Sequence, residues 1–129
     1  KELVTHAPKD ASISFYGGVT DEQYAEVLSD CHALVTASLE EGFGLPIIEA
    51  MQEGVLVICS DIDIFHEVAG KAGLFFDPQS PQDFADKVRD LEKKKYRDEL
   101  VKKGRAQAKK FTWKKSAREL AKTIEQLQP

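Results

Sequence analysis

The sequence is poor in cysteine and contains no long hydrophobic run. Its 129 residues include two cysteines, Cys31 and Cys59, which are too few for a disulfide framework and have no spacing typical of a metal site. The longest apolar run, residues 55–59, has the length of a strand, whereas a membrane-spanning helix needs roughly 20 apolar residues. We therefore predict no metal site and no membrane span within these residues. We expect Cys59 to be a buried, reduced thiol, which favours a cytoplasmic protein.

The amino terminus lacks two further features. It has neither the basic and apolar regions of a secretory signal peptide nor an initial Met. We therefore expect a fragment or a processed chain.

The net charge of −4 hides an uneven distribution of charged residues. Residues 1–80 contain 3 Lys and Arg against 14 Asp and Glu, whereas residues 81–129 contain 15 against 8. The basic part could face a phosphate-rich partner or the anionic inner face of a membrane. Such runs are more often the solvated faces of amphipathic helices, which is the interpretation we favour, with peripheral membrane contact as the alternative. We predict no nucleic-acid partner.

Short runs rich in β-branched and aromatic residues alternate with helical patterns. Strands are predicted at residues 13–19, 33–37, 55–59 and 72–76. Helices are predicted after the capping box of Thr20 and Gln23, at 46–53, at 64–69, after Ser80-Pro81, at 96–110 with an interruption at Gly104, and after Thr112. Strands that alternate with helices predict parallel pairing with right-handed crossovers.

The predicted fold class is α/β, a Rossmann-like parallel sheet of about four strands flanked by helices. Four strands are few for a doubly wound sheet, so we expect one or two βα units upstream of this sequence. Residues 1–129 are predicted to form a single domain, with residues 112–129 as its terminal helix.

The segment from Glu40 to Pro46, which we call the glycine loop, follows a predicted strand and precedes a helix. In doubly wound sheets, ligands bind beyond the carboxyl ends of strands. Gly42 and Gly44 allow a close approach of the backbone to a ligand, and free amides at a helix start favour an anion such as a diphosphate. Many loops of this kind are only structural, so the pattern alone leaves both interpretations open.

Two acidic residues flank the glycines. Glu49 lies on the first turn of the predicted helix, where a carboxylate is favourable with the dipole and could also accept hydrogen bonds from a ribose diol. Glu41 precedes the glycines and could orient sugar hydroxyls or balance positive charge at a reacting carbon. Spacing alone does not separate these roles from helix capping and a solvated acid.

A longer similarity gives the two acids a specific interpretation. Glu41 and Glu49, separated by Gly-Phe-Gly-Leu-Pro-Ile-Ile, resemble the E-x7-E signature of the retaining GT-B glycosyltransferases of family 4, or glycosyl transferases group 1. Glycogen and sucrose-phosphate synthases are relatives of that family. Residues 54–60, 66–70, 72–78 and 111–113 resemble the segments that follow the signature. The resemblance covers residues 13–128.

The resemblance implies the carboxyl-terminal half of a GT-B fold, which binds a nucleotide-diphosphate sugar between two Rossmann-like domains. It implies that Glu49 holds the ribose hydroxyls and that Glu41, the catalytic residue, lies against the transferred sugar. The other implied donor contacts are the amides of Gly42, Phe43, Gly44 and Leu45, and the turn at Gly17 and Gly18.

The implied reaction is the transfer of a hexose to a hydroxyl of an acceptor sugar, lipid or protein with retained anomeric configuration. Front-face attack within an ion pair generally explains retention in this family, so Glu41 need not be a covalent nucleophile. No cofactor or metal is implied.

The sequence departs from the family pattern at two places. Leu56 replaces the usual Pro, which should alter only the start of a strand. The basic pair that grips the diphosphate lies upstream in the family, and neither Lys1 nor Lys9 has that context. The acceptor domain is also upstream, so we expect this chain alone to be inactive. A non-catalytic nucleotide-sugar-binding or interaction module is the alternative.

Two other conspicuous residues have simpler interpretations. We expect His66 to be a surface or packing histidine and not a ligand. We expect Trp113 to pack in the core or at a domain interface and not to form a sugar-stacking platform.

Overall fold

A computed structural model describes Pro8 and residues 10–127. Its helices are α1 (Asp21–Asp30), α2 (Leu45–Glu53), α3 (Asp63–Ala69), α4 (Pro81–Asp90), α5 (Lys94–Ala108) and α6 (Trp113–Leu127), with a 3₁₀ turn at Gly70–Ala72. Its strands are β1 (Ala33–Thr36), β2 (Leu56–Ser60) and β3 (Gly73–Phe76). The predicted α/β class is confirmed.

The three strands form one parallel sheet in the order β1-β2-β3. Val35 of β1 pairs with Ile58 of β2, which pairs on its other side with Leu74 of β3. All five residues of β2 are buried, because helices cover both faces of this central strand. In contrast, β1 lies at an edge of the sheet, and Val35 is half-exposed.

The prediction of a strand at residues 13–19 is wrong. This segment is irregular, and its large apolar side chains are exposed, Phe15 to 79%. A β-rich sequence forms a strand only where a neighbouring strand accepts and donates its hydrogen bonds. No strand in residues 10–127 lies beside this segment. The described sheet therefore has three strands and not about four.

Two apolar clusters cover the two faces of the sheet. The first packs α2, α3 and the end of α5 against one face, with Met51 and Phe65 among its most deeply buried side chains. The second packs α4 and the first part of α5 against the other face, where Phe76 and Leu100 are buried. This arrangement leaves the carboxyl ends of the strands for loops.

Cys59 lies on β2 within the first cluster and is fully buried. Burial, followed by the negative charge of Asp61, raises the pKa of the Cys59 thiol to about 12. The thiol is therefore protonated at neutral pH, as expected for a buried, reduced cysteine.

Side-chain caps begin three of the helices at the predicted places. The hydroxyl of Thr20 accepts a hydrogen bond from the amide of Gln23 at 3.3 Å, and the side chain of Gln23 accepts one from the amide of Thr20 at 2.9 Å. Ser80 caps α4, and the Thr112 hydroxyl accepts from the amide of Lys115 at the start of α6. The capping box and both other predicted caps are confirmed.

Helix α5 connects the carboxyl ends of α2 and α3. Those helices end at Gly54 and Gly70, whose φ angles are 81° and 54°. Arg105 donates to the last carbonyl of α2 at 3.3 Å, and Gln107 donates to a carbonyl in the last turn of α3 at 3.1 Å. Two helix ends thus receive donors from one helix, which satisfies carbonyls that have no partner within their own helices.

The predicted interruption of α5 at Gly104 is wrong, because the helix continues through it to Ala108. Gly104 is buried against α2, and a Cβ there would lie 3.1 Å from Cγ of Met51. The glycine therefore serves close helix packing and not a break.

Replacing Gly104 by Val should lower the free energy of unfolding by about 1–3 kcal/mol, because the added side chain has to displace Met51. Urea denaturation monitored by circular dichroism measures the change. The matched control is Ala106→Val, which places the same branched side chain at an exposed position of the same helix. Equal stability of the two variants would contradict the close contact.

Helix α6 has no buried residue. Trp113 is 80% exposed, so the prediction that it packs in the core is wrong, and packing at a domain interface stays a prediction. Leu120, Ile124 and Leu127 are also exposed. Across residues 10–127, no helix combines the length and the apolar content that crossing a membrane requires.

Five of the 15 Lys and Arg residues after position 80 form an ion pair with an acid of their own helix. Lys87 of α4 contacts Asp83, Lys103 of α5 contacts Glu99, and Lys122 of α6 contacts Glu119. These pairs are partly or largely exposed and contribute little to stability. They favour the interpretation of the basic run as solvated helix faces.

Candidate functional site

The glycine loop lies beyond the carboxyl end of β1 and leads directly into α2. Ser38, two residues after β1, donates a hydrogen bond from its Oγ to Oε1 of Glu41 at 2.8 Å. Glu41 is otherwise exposed. A neutral hydroxyl thus orients this carboxylate without neutralising its charge.

The structure explains only one of the two glycines of the loop. Gly44 has a φ of 101°, and a Cβ there would lie 3.0 Å from the ring of Phe65. Its backbone conformation and its surroundings therefore both require glycine. At Gly42 a Cβ would meet no atom within 4 Å. Packing within the described chain does not explain Gly42, whereas a ligand lying against the backbone would.

The amides of Gly42, Phe43, Gly44 and Leu45 could together bind an anion. None of them donates a hydrogen bond to an acceptor in residues 10–127. Pro46 has no amide hydrogen, and the amide of Ile47 donates a hydrogen bond to the carbonyl of Gly44 at 3.1 Å. Four successive amides without an acceptor in the described residues therefore lie at the start of α2, the last of them on its first residue, at the positive end of the helix dipole.

Glu49 lies in the second turn of α2, because the helix begins at Leu45, one residue earlier than predicted. Its placement on the first turn was therefore wrong, and the dipole explains its presence less well. The side chain of Glu49 is partly buried and lies beside Tyr24 of α1. Burial, and then the negative charge of Glu49, raise the pKa of the Tyr24 phenol.

Glu49 lines two grooves. The first has a volume of about 410 Å³ and runs between the glycine loop, α2 and the start of α6, with Phe43, Phe111 and Trp113 on its walls. The second has a volume of about 320 Å³ and lies between α1 and α2, where Tyr24 forms one wall. Glu49 therefore stands where a ligand in either groove could reach its carboxylate.

The second groove is acidic. Asp21, Glu49 and Glu53 line it, and no Lys or Arg lines either groove in the described part of the chain. These carboxylates accept hydrogen bonds from hydroxyl or amino groups and repel a phosphate. A phosphorylated ligand would therefore place its phosphates at the loop amides and its hydroxyls at Glu49.

Gly17 and Gly18 do not line either groove. Gly18 has a φ of 65°, and neither glycine has an atom within 4 Å of a Cβ position. Their contact with a nucleotide stays a prediction.

Sequence reasoning missed Tyr24 and Phe111 as site residues. The helical spacing of Tyr24 indicated only an apolar stripe on α1. Phe111 precedes α6 in sequence, yet its ring contacts Phe43 of the glycine loop edge to face, with centroids 5.8 Å apart. Tyr24 is distant in sequence from Glu49, and Phe111 is distant from Phe43. Only the packing of the helices brings these residues to the same site.

His66 lies outside both grooves. Its Nε2 is 2.5 Å from Oδ1 of Asp61, and its ring stacks on Phe75 with centroids 3.9 Å apart. These contacts agree with the expected packing role. Across residues 10–127, no three His, Cys, Asp or Glu side chains cluster as metal ligands would.

A parallel sheet with a glycine loop beyond a strand end defines the Rossmann-like class of α/β proteins. The profile of the family Glycosyl transferases group 1 matches residues 1–111. The chain belongs to this family.

Curated relatives and a solved structure agree with this assignment. O-antigen chain mannosyltransferase B of Escherichia coli is 36% identical over 113 residues, which are 87% of this chain and 30% of that protein. O-antigen chain mannosyltransferase RfbU of Salmonella typhimurium is 32% identical over 71% of this chain and 26% of its own length. Sucrose-phosphate synthase from Thermosynechococcus elongatus is similar in structure, with a TM-score of 0.77 and 30% identity over 88% of this chain and 30% of that chain.

The structural similarity supports a GT-B fold, of which the described sheet is a part. The chain spans less than a third of the length of these relatives.

Proposed function

We propose that this chain is the donor-binding part of a longer retaining glycosyltransferase of family 4, which transfers a hexose from a nucleotide-diphosphate sugar to an acceptor hydroxyl. The observation that carries the proposal is the pairing of Glu41 and Glu49 across a loop with four free amides. A diphosphate needs donors, and a ribose diol needs an acceptor. The glycine loop and Glu49 offer these two chemistries side by side.

In this proposal the amides from Gly42 to Leu45 hold the diphosphate and the sugar. The positive end of the α2 dipole and the absence of a Cβ at Gly42 and Gly44 favour an anion close to the backbone. Gly17 and Gly18 contact the nucleotide.

Glu41 lies against the transferred sugar in this proposal. Its carboxylate, oriented by Ser38, balances the positive charge that develops at the anomeric carbon. Attack occurs on the same face that the diphosphate leaves, so the configuration is retained without a covalent sugar–enzyme bond.

The names of the relatives suggest the sugar. Several are mannosyltransferases, and two of them act on an O-antigen chain. We propose a mannosyl donor and a glycan acceptor for the longer protein. We also propose a cytoplasmic site of action, with peripheral contact of the longer protein with the inner face of a membrane as the alternative.

The acidity of the two grooves favours one alternative, a module that binds a nucleotide sugar without transferring it. With no Lys or Arg lining either groove, the described chain lacks a cation for the diphosphate. A transferase needs a cation to stabilise the departing diphosphate. A module that only binds the nucleotide sugar does not. Turnover by the longer protein separates this alternative from an enzyme.

A panel of nucleotide sugars tests the proposal. We expect one nucleoside-diphosphate hexose to raise the melting temperature of the full-length protein, by mass action on the folded state, and the matching monosaccharide to have no effect. We further expect that donor to be consumed only when a glycan acceptor is present. Stabilisation without consumption would favour the binding module, and no stabilisation by any donor would contradict both.

A further inference from the structure

We propose that Tyr24 is a positioning residue that fixes one carboxylate oxygen of Glu49, so that the other oxygen faces the ribose of the bound donor. This inference rests on the proposed function, because it assumes that Glu49 holds the ribose. It concerns a residue on α1, whereas Glu49 lies on α2 and Glu41 on the glycine loop.

The packing of α1 on α2 brings the two side chains together. Tyr24 and Glu49 line the same groove, and the ring of Tyr24 packs against the first apolar cluster. The amide of Tyr24 donates to the carbonyl of Thr20 at 2.9 Å, within the turn that the capping box closes. The backbone hydrogen bond and the packing of the ring together fix the position of the Tyr24 side chain.

The electrostatic surroundings leave the phenol as the group that orients Glu49. No Lys, Arg or His in the described ranges forms an ion pair with Glu49. The raised pKa of Tyr24, caused by burial and then by the charge of Glu49, keeps the phenol protonated and able to donate. A neutral donor orients the carboxylate and leaves its full charge for the substrate.

The arrangement at Glu49 parallels the one at Glu41. Ser38 donates to one oxygen of Glu41 at 2.8 Å. Tyr24 lines the same groove as Glu49, and in our proposal its phenol takes the corresponding place beside that carboxylate. Each acid of the signature thus has one neutral hydroxyl neighbour. A carboxylate that accepts two ribose hydroxyls has to hold a defined plane, and a rotating side chain would lose part of the binding energy to ordering.

The test compares ribonucleoside diphosphates with their 2′-deoxy forms. UDP, GDP and the corresponding 2′-deoxynucleotides are titrated by calorimetry into the full-length protein and its Tyr24→Phe variant. We expect Tyr24→Phe to weaken binding of the preferred ribonucleotide by about three- to tenfold, because it removes only the hydroxyl. Binding of the 2′-deoxynucleotide should change by less than about twofold, because it lacks one hydroxyl of the diol.

The matched control is Tyr96→Phe. Tyr96 is also partly buried, but it packs against the second cluster on the opposite face of the sheet. This variant should bind both nucleotides like the wild type. A Tyr24→Phe change made in a Glu49→Gln background should add little further loss, because the hydroxyl acts through the carboxylate.

The outcomes separate the inference from the proposed function. If the wild type prefers the ribonucleotide and Tyr24→Phe keeps the full preference, the positioning role is wrong and the role of Glu49 stands. If Tyr24→Phe weakens both nucleotides equally, Tyr24 acts through general packing, and the inference is again overturned. If the wild type does not distinguish the two nucleotides, the ribose assignment of Glu49 fails together with the inference.

Discussion

Glu41→Gln should lower kcat of the full-length protein by about 10²-fold or more, while the dissociation constant of the donor changes by less than about threefold. The amide keeps the size of the side chain and can still meet Ser38, but it lacks the negative charge. Only an interaction that strengthens in the transition state is lost. Steady-state kinetics at saturating donor, combined with calorimetric donor binding, measures the two effects separately.

Glu40→Gln is the control for this change. Glu40 is the neighbouring exposed acid of the same loop, and no side-chain hydrogen bond involves it in the described part of the chain. Its variant should retain near wild-type turnover. A Glu41→Gln protein with wild-type kcat would remove Glu41 from the transferred sugar, and equal losses in both variants would indicate a general charge effect of the loop.

Glu49→Ala should raise the dissociation constant of the donor about tenfold or more, a loss of about 1.4 kcal/mol or above. The carboxylate is the acceptor for the ribose hydroxyls in the proposed site, and alanine leaves those hydroxyls without their partner. The loss should appear with the nucleoside diphosphate alone, because the ribose belongs to the nucleotide. Isothermal calorimetry with the diphosphate measures it.

Glu26→Ala serves as the control for Glu49→Ala. Glu26 is an exposed acid on α1 that lines neither groove. The Glu26→Ala variant should bind the nucleoside diphosphate like the wild type. Unchanged binding by Glu49→Ala would contradict the ribose contact, and a loss confined to the complete nucleotide sugar would move Glu49 to the sugar.

Local signals predicted much of the fold. Helix starts at Thr20, Ser80 and Thr112 follow from side chains that cap a helix within three residues, and the buried run of β2 follows from its lack of alternation. The errors arose where a residue depends on a distant partner. Residues 13–19 have a strand composition but no strand beside them in the described chain, and Gly104 looks like a helix break until Met51 is placed against it.

The candidate site divides in the same way. The glycine loop, Glu41 and Glu49 lie within ten residues of one another, so their pattern is visible in the sequence. The shared groove of Tyr24 and Glu49 and the contact of Phe111 with Phe43 depend on how the helices pack, and no sequence spacing predicts them. The role of Gly17 and Gly18 remains a prediction because neither groove reaches them.

The attachment of α5 to α2 and α3 has a consequence for how long the site keeps its shape. Loops held only by their own turns open and close frequently, because each opening breaks few contacts. The glycine loop is continuous with α2, and α2 is tied through Arg105 and Met51 to a helix that also belongs to the opposite face of the sheet. Moving the end of the glycine loop therefore means displacing α2 from its contacts with α5. In the proposed site, the amides next to α2 are therefore held in place before a diphosphate binds, so that binding should cost little ordering entropy.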